Sequence, residues 1–176
     1  MFNSFQEVYL GFLDAEESEQ MIREIGIWKN ISWPGESARQ VFKYCGGHPL
    51  ITRYFASHAC KKGQLKEITP ERVLETAREI EKNLRRNEIG NYYKEAIGDL
   101  LYPEEMRALL SLSRADISGL AESELPSELE PATNNLENFG LVENAGGKLR
   151  ISAELFRSWL QRRDAPEGKA EILQET

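Results

Sequence analysis

Residues 45–55 read Cys-Gly-Gly-His-Pro-Leu-Ile-Thr-Arg-Tyr-Phe, and residues 46–49 within them predict a sharp corner between two helices. Glycine is favoured just past the end of a helix because it adopts the left-handed backbone conformation without a steric penalty. Proline is favoured at the first position of a helix, where its missing N–H group is not needed. The corner would bring His48 close to a helix N-terminus, and such termini attract anions. The local pattern fits both an ordinary helix–helix turn without a ligand and an anion-binding corner.

Capping residues and the helical spacing of apolar residues predict a bundle of about four helices in the first half of the chain. The first helix is expected to run from a cap at Asp14 to Gly26, and the second over residues 36–45. The third is expected to run from Pro49 to about Lys62, with Gly63 as the stop. The fourth is expected to start from a cap at Thr69 and to carry an apolar stripe of Val73, Leu74, Ala77, Ile80 and Leu84. Trp28 and Trp33 lie in the loop between the first two helices, and we expect both to close the core. Residues 8–13 read as a short extended lead-in.

The second half combines helices with a hairpin. Helices are expected over residues 92–101, from Pro103, over residues 128–139, and around Leu155, Phe156, Trp159 and Leu160. Residues 116–125 fit either a short helix or a turn. Residues 141–143 and 148–151 flank an Asn-Ala-Gly-Gly sequence, which predicts a β-hairpin. Phe139 is expected to face inward, and the polar residues 164–176 are expected to fray.

The net charge of the 176-residue chain is -7, and it is unevenly distributed. Residues 1–87 contain 13 Lys and Arg against 12 Asp and Glu, a net of +1, whereas residues 88–176 contain 9 against 17, a net of -8. Because this change coincides with a predicted helix boundary, we place a domain boundary around residues 87–91. The acidic balance disfavours general binding to nucleic acid or to an anionic membrane.

The sequence favours a cytoplasmic protein. No apolar run approaches the roughly 20 residues of a membrane span, and residues 1–7 lack the basic and then apolar plan of a signal peptide. The chain has only two cysteines, Cys45 and Cys60, which does not suggest a disulfide framework and fits a reducing compartment.

The order of helices and hairpin in the second half is that of a winged helix-turn-helix domain. Residues 136–143, 149–152 and 156–160 resemble the end of such a domain, in the form attached to archaeal and bacterial AAA+ P-loop ATPases of the STAND and Orc-like groups. In the first half, residues 10–17 resemble the start of the helical lid of these ATPases, and residues 42–50 resemble their lid motif, in which Gly, a variable residue and Pro face the nucleotide.

The resemblance implies a mainly α-helical fold with three parts. Residues 1–87 would form the helical lid, residues 88–163 the winged-helix domain with its small β-hairpin, and residues 164–176 a flexible tail. In a parent ATPase, Gly47, His48 and Pro49 would contact the adenine, the ribose or the phosphates of bound ATP or ADP. Arg53 lies one turn further along and could reach a phosphate or form a surface salt bridge.

The chain itself contains no G-x-x-x-x-G-K-[ST] phosphate loop and no apolar strand that ends in an acidic pair for Mg²⁺. By resemblance, it would begin where the P-loop core of such an ATPase ends. We therefore expect the isolated chain to be no enzyme and to need no cofactor, and its expected partner is the P-loop core of the same parent protein. The lid would move when the nucleotide changes and would carry the winged helix with it.

The predicted recognition helix, residues 128–139, disfavours DNA as a partner. Its outward residues include Asn134, Asn135 and Asn138, and asparagine can read adenine. The helix has no Lys or Arg, however, although phosphate contacts supply most of the affinity for DNA. Packing on the ATPase core or on a protein partner is therefore favoured. The alternative is a freestanding winged-helix DNA-binding regulator or adaptor with a helical dimerisation domain.

A zinc site is disfavoured although two cysteines and two histidines lie within residues 45–60. His58 and Cys60 are two residues apart on a predicted helix and point in different directions, so no metal is expected. The basic clusters, Lys61, Lys62 and Lys66 together with Arg85 and Arg86, fit solvated helix ends, where cations offset the helix dipole.

Overall fold

The computed structural model describes residues 11–61, 65–116 and 118–163. These residues include eight α-helices and three short strands. They are α1 (Ala15–Lys29), α2 (Gly35–Cys45), α3 (Pro49–Ala59), α4 (Pro70–Lys82), α5 (Glu88–Tyr92), α6 (Pro103–Arg114), β1 (Leu120–Ala121), α7 (Glu130–Asn138), β2 (Val142–Asn144), β3 (Lys148–Ile151) and α8 (Glu154–Arg163). The predicted mainly helical fold with a small hairpin is confirmed. The lead-in residues 8–10, the stop at Gly63 and the tail 164–176 lie outside the described residues.

Helix α1 starts as predicted but ends later. The Asp14 carboxylate accepts hydrogen bonds from the N–H groups of Glu16 and Glu17, and the Glu17 side chain accepts one from the Asp14 N–H, which completes a capping box. The prediction that Gly26 ends the helix is wrong, because Asn30 ends it in the left-handed conformation. Gly26 instead allows a close approach: a Cβ there would lie 2.4 Å from the Ile31 carbonyl oxygen.

Only one of the two tryptophans lies in the core. Trp33 is 3% exposed, whereas Trp28 is 85% exposed, so the prediction for Trp28 is wrong. The reason is the longer α1, which places Trp28 on its last turn rather than in the loop that folds inward.

Helices α3 and α4 meet at a buried arginine. The Arg72 Nε donates to the carbonyl of Ala59, the last residue of α3, over 3.1 Å. This bond satisfies a carbonyl at the end of α3. The helix thus ends three residues before the predicted end near Lys62. Helix α4 begins as predicted, with Thr69 as its cap. Leu84 is fully buried as expected but lies beyond α4, and Leu74 is 39% exposed rather than part of the inward stripe.

The helix predicted over residues 92–101 begins earlier and changes pitch. The Asn87 side chain caps α5 by accepting a hydrogen bond from the Gly90 N–H over 2.9 Å. The helix then continues as a π-helical segment over Tyr93–Gly98. Helix α7 is shorter than predicted because residues 127–129 form a separate 3₁₀ turn before it. Phe139 is 48% exposed, so its predicted inward position is wrong.

The predicted hairpin is confirmed and gains a third strand. Strands β2 and β3 pair antiparallel, with Val142 opposite Ile151. The ambiguous segment 116–125 contributes β1, which pairs with the other edge of β3 and places Leu120 opposite Leu149. The resulting sheet has the order β1-β3-β2.

Helix α8 joins the two halves. It packs against α2 and α4 of the first half and against α6 and β3 of the second. The four apolar residues on which this helix was predicted, Leu155, Phe156, Trp159 and Leu160, are all buried. They belong to one hydrophobic cluster that includes residues from both sides of the predicted boundary at residues 87–91, and that boundary stays a prediction. Among the described helices, none has the length and apolar content needed to cross a bilayer.

Candidate functional site

The corner between α2 and α3 has the predicted geometry. Gly46 ends α2 with φ of 60°, and its N–H donates to the Phe42 carbonyl over 2.7 Å. Gly47 is also left-handed, with φ of 72°, and Pro49 occupies the first turn of α3. Two consecutive residues with positive φ strongly favour glycine, so the sequence itself favours this turn.

The two glycines press the corner against other parts of the chain. The Leu13 N–H donates to the Gly47 carbonyl over 3.0 Å, and a Cβ on Gly47 would lie 1.9 Å from the Leu13 carbonyl oxygen. A Cβ on Gly46 would lie 2.9 Å from the Cβ of Ala153 and 3.2 Å from the Ser152 carbonyl oxygen. The corner therefore contacts both the segment that leads into α1 and the junction between β3 and α8.

His48 forms the third connection of the corner. Its Nε2 shares a 2.7 Å hydrogen bond with the hydroxyl of Tyr92, in α5. The Phe12 ring lies against its other side, with the ring centroids 4.7 Å apart. The His48 side chain is half-buried, and its buried Nδ1 has no hydrogen-bond partner among the described residues. Burial lowers the pKa of His48 below its ordinary value of 6.5, so the imidazole is neutral near pH 7.

This lowered pKa makes the stability of the fold depend on pH. The unfolded chain binds a proton at His48 more readily than the folded chain, so the free energy of unfolding falls as the pH decreases below 6.5 toward the lower folded pKa. Above pH 6.5 the full stability is present. We expect the free energy of unfolding in urea to be lower at about pH 5.5 than at about pH 7.5, and His48→Gln to reduce that difference. An identical pH dependence in the variant would contradict this role of His48.

Of the other predicted contact residues, Gly47 is buried, whereas Pro49 and Arg53 are exposed. Pro49 is exposed at the start of α3. Arg53 is exposed one turn further along, and its side chain makes no hydrogen bond or ion pair within the described residues. The exposed side of the corner thus offers Pro49 and a guanidinium on the next turn, whereas the Nδ1 atom of the neutral imidazole is buried.

Neither cavity near the corner encloses a nucleotide-sized space. A cavity of about 10 Å³ next to His48 is lined by Cys45, Tyr93 and Phe156, and it has room for about one water molecule. A cavity of about 260 Å³ lies between Lys43 and Arg150, below the roughly 300–1,000 Å³ of typical ligand pockets. A nucleotide at the corner would therefore need walls from another part of a larger protein.

Two of the three cations that line the larger cavity are paired with carboxylates, and the third, Arg157, donates to the Ala115 carbonyl. Lys43 lies 3.0 Å from a carboxylate oxygen of Glu154, and the Arg150 Nε lies 2.7 Å from a carboxylate oxygen of Glu143. An anionic ligand in this cavity would have to displace these carboxylates, and the cavity therefore offers no preformed anion site.

The four residues considered for zinc are not brought together. Cys45 is buried at the end of α2, where burial raises the pKa of its thiol. His58 lies 3.4 Å from Glu79, and Cys60 is buried beyond the end of α3. No group of three or more His, Cys, Asp or Glu side chains suited to a metal ion occurs within the described ranges.

The helix predicted to face DNA, α7, presents neutral and acidic side chains. Asn134 and Asn138 are exposed. Asn135 is also exposed, but its side-chain amide donates to a carboxylate oxygen of the buried Glu105 over 3.3 Å. The nearby Arg107 is paired with Glu128 at 3.0 Å. This surface lacks the free cations that phosphate binding requires.

The partners of the corner were not predicted from the sequence. Tyr92 was assigned only to a helix, and Phe12 only to the lead-in. Nothing in the residues around Tyr92 marks it as the partner of His48. Such contacts join residues 44 positions apart, and no local rule predicts them.

No protein-family model matches this chain, and no curated protein sequence matches it. The geometry of the corner and the short motifs that resemble the ATPase lid and the winged helix are therefore the features that bear on function.

Proposed function

We propose that this chain is the regulatory lid and winged-helix portion of a P-loop ATPase of the STAND or Orc-like AAA+ class. In this proposal, residues 47–49 sense ATP or ADP held by the P-loop core of the parent protein. The winged-helix part then contacts that core or a protein partner according to the nucleotide state.

One observation carries the proposal: the corner at residues 46–49 contacts three separate parts of the chain. Gly47 meets Leu13, His48 bonds to Tyr92, and Gly46 packs on residues 152–153. A shift of the corner would therefore act at once on the segment before α1, on α5 and on the start of α8. This arrangement suits a device that transmits a local change at a bound ligand to a second structural unit.

The second half supports the winged-helix part of the proposal. Helices α6 and α7 pack on each other, and α6 also packs on β3 and α7 on β2. Strand β1 adds a third strand to the sheet, on the other edge of β3. The exposed face of α7 carries no Lys or Arg, because residues 130–138 contain neither. A protein surface is therefore a better partner for this unit than DNA.

The exposed and the buried sides of the corner suggest different roles for its residues. The backbone at Pro49 and the side chain of Arg53 are exposed and would face the nucleotide. His48 would respond to the nucleotide through the neutral imidazole that also holds Tyr92. Because its Nε2 is bonded to Tyr92 and its Nδ1 is buried, His48 would act on the ligand indirectly, by holding the corner against α5.

The test begins with the gene upstream of codon 1. The proposal predicts that the complete reading frame encodes a phosphate loop before this chain. Calorimetric titration of ADP should then detect binding to the complete gene product and no tight binding to the 176-residue chain alone. A reading frame without a phosphate loop, or tight ADP binding by the isolated chain, would refute the proposal.

A further inference from the structure

Four arginines lie close together on one side of this acidic protein. Arg85 and Arg86 belong to the turn after α4, and Arg162 and Arg163 end α8. The Arg85 guanidinium donates to the carbonyl of Arg162, so the two pairs are in direct contact. We call the surface formed by these four arginines, Leu100 and Tyr102 the arginine end.

Three of the four arginines, Arg85, Arg162 and Arg163, are held by contacts within the fold. Leu84, immediately before the first pair, is fully buried. The Arg162 guanidinium donates to the carbonyl of Glu81. The Arg163 guanidinium carbon lies 5.6 Å from the centre of the Trp159 ring, which orients its plane. This order lowers the entropy that binding to a partner would cost.

Exposed apolar groups adjoin the arginines. Arg163 contacts the Met106 sulfur at 3.5 Å and also lies next to Gly98. The loop between these two residues carries Leu100, which is 75% exposed, and Tyr102, which is 70% exposed. Tyrosine and arginine are the residue types that most often dominate protein–protein binding energy.

We propose that the arginine end binds an acidic segment of another protein that carries at least one large apolar side chain. Carboxylates match the planar, bidentate geometry of guanidinium groups. An apolar side chain of the partner would cover Leu100, whereas a phosphate backbone has no apolar group that could cover it. The proposal shares no residue with the corner at residues 46–49 and does not depend on its function.

The charge of the whole molecule favours a short acidic segment over nucleic acid. Residues 88–176 have a net charge of -8, and Asp99 lies beside Leu100. A long polyanion would extend over this acidic surface, whereas a short segment would contact only the arginines. Repulsion from the rest of the chain is then screened beyond about 10 Å at ordinary salt.

The test uses fluorescence anisotropy with the full 176-residue chain. The probe is a labelled peptide of about 12 residues, rich in Asp and Glu and with one Leu and one Phe. Two matched probes replace the acids by their amides or the apolar residues by Ser. A fourth probe is a short DNA duplex, and each is titrated at roughly 0.05 M and 0.3 M NaCl.

We expect the acidic apolar peptide to bind more tightly than the other three probes, and its affinity to be lower at the higher NaCl concentration. Arg86→Glu combined with Arg163→Glu should weaken binding at least about tenfold. Arg23→Glu combined with Lys29→Glu, which makes the same change in charge on α1, should leave it unchanged. Leu100→Ser removes an exposed side chain, so the fold should remain intact, as circular dichroism would check, while peptide affinity falls several-fold.

Three outcomes would overturn the proposal. The first is that the two double variants bind the peptide equally. The second is tighter binding of the DNA duplex with no effect of Leu100→Ser, which would assign the surface to nucleic acid. The third is sedimentation showing a dimer that the Arg86→Glu and Arg163→Glu variant abolishes, which would assign the surface to a second copy of the chain.

Discussion

Gly47→Ala is expected to lower the free energy of unfolding by about 3–5 kcal/mol, because two costs coincide at this position. The backbone there is left-handed, with φ of 72°, which costs about 1–2 kcal/mol for an L-residue. The new Cβ would also lie 1.9 Å from the Leu13 carbonyl oxygen, so the lead-in to α1 must move away. Urea unfolding followed by circular dichroism would measure the effect.

Gly146→Ala provides the matched control for Gly47→Ala. Gly146, at the tip of the hairpin, also has a positive φ, of 65°, but a Cβ there would meet no atom within 4 Å. Its substitution should cost only about 1–2 kcal/mol. The difference between the two variants isolates the contact with Leu13, and equal losses would show that this contact does not constrain the corner.

Gly90→Ala is the second substitution with a large expected effect, again about 3–5 kcal/mol. Alanine normally stabilises a helix relative to glycine, by up to about 1 kcal/mol. In α5, however, a Cβ on residue 90 would lie 1.5 Å from the Leu84 carbonyl oxygen. The turn that carries Leu84 cannot retreat, since Leu84 is fully buried and the Asn87 side chain donates to the Ile80 carbonyl over 2.9 Å.

Gly35→Ala serves as the control in this case. Gly35 is also helical, at the start of α2, and a Cβ there would lie 3.4 Å from the nearest atom, an Arg39 guanidinium nitrogen. This variant should be neutral or slightly stabilising in the same unfolding assay. A stabilising Gly90→Ala substitution would mean that the turn after α4 and α5 are not packed as described.

Local chemistry predicted the parts of the fold that local chemistry controls. The capping box at Asp14, the proline start of α4 and the glycine corner before α3 each follow from the residue at one position and its near neighbours. The hairpin tip is similar, because Gly146 and Gly147 both adopt positive φ. Such residues restrict their own backbone, so no knowledge of distant contacts is needed.

The errors arose where distant contacts decide the structure. Gly26 resembles a helix stop in the sequence, but it lies inside α1 because Ile31 and Trp33 approach its backbone. Strand β1 is only two residues long and has no alternating pattern, so only its pairing with β3 defines it.

The candidate site shows the same division. The turn geometry of Gly46 and Gly47 was predictable, whereas the bond between His48 and Tyr92 connects helices that are distant in sequence. The role of residues 46–49 as a junction between three segments is therefore a finding of the structure. Their role as one side of a nucleotide site is the proposal that remains to be tested.

The most direct test compares the ADP affinity of two histidine variants of the complete gene product. His48 caps the start of α3, and His58 lies near its end. His48→Ala should weaken ADP binding about tenfold in calorimetric titration, because it removes the hydrogen bond to Tyr92 that holds the corner in place. His58→Ala changes the half-buried histidine near the other end of α3, which lies beside Glu79, and should leave ADP affinity unchanged. Equal ADP affinities for the two variants and the unmodified protein would contradict the assignment of the corner to the nucleotide.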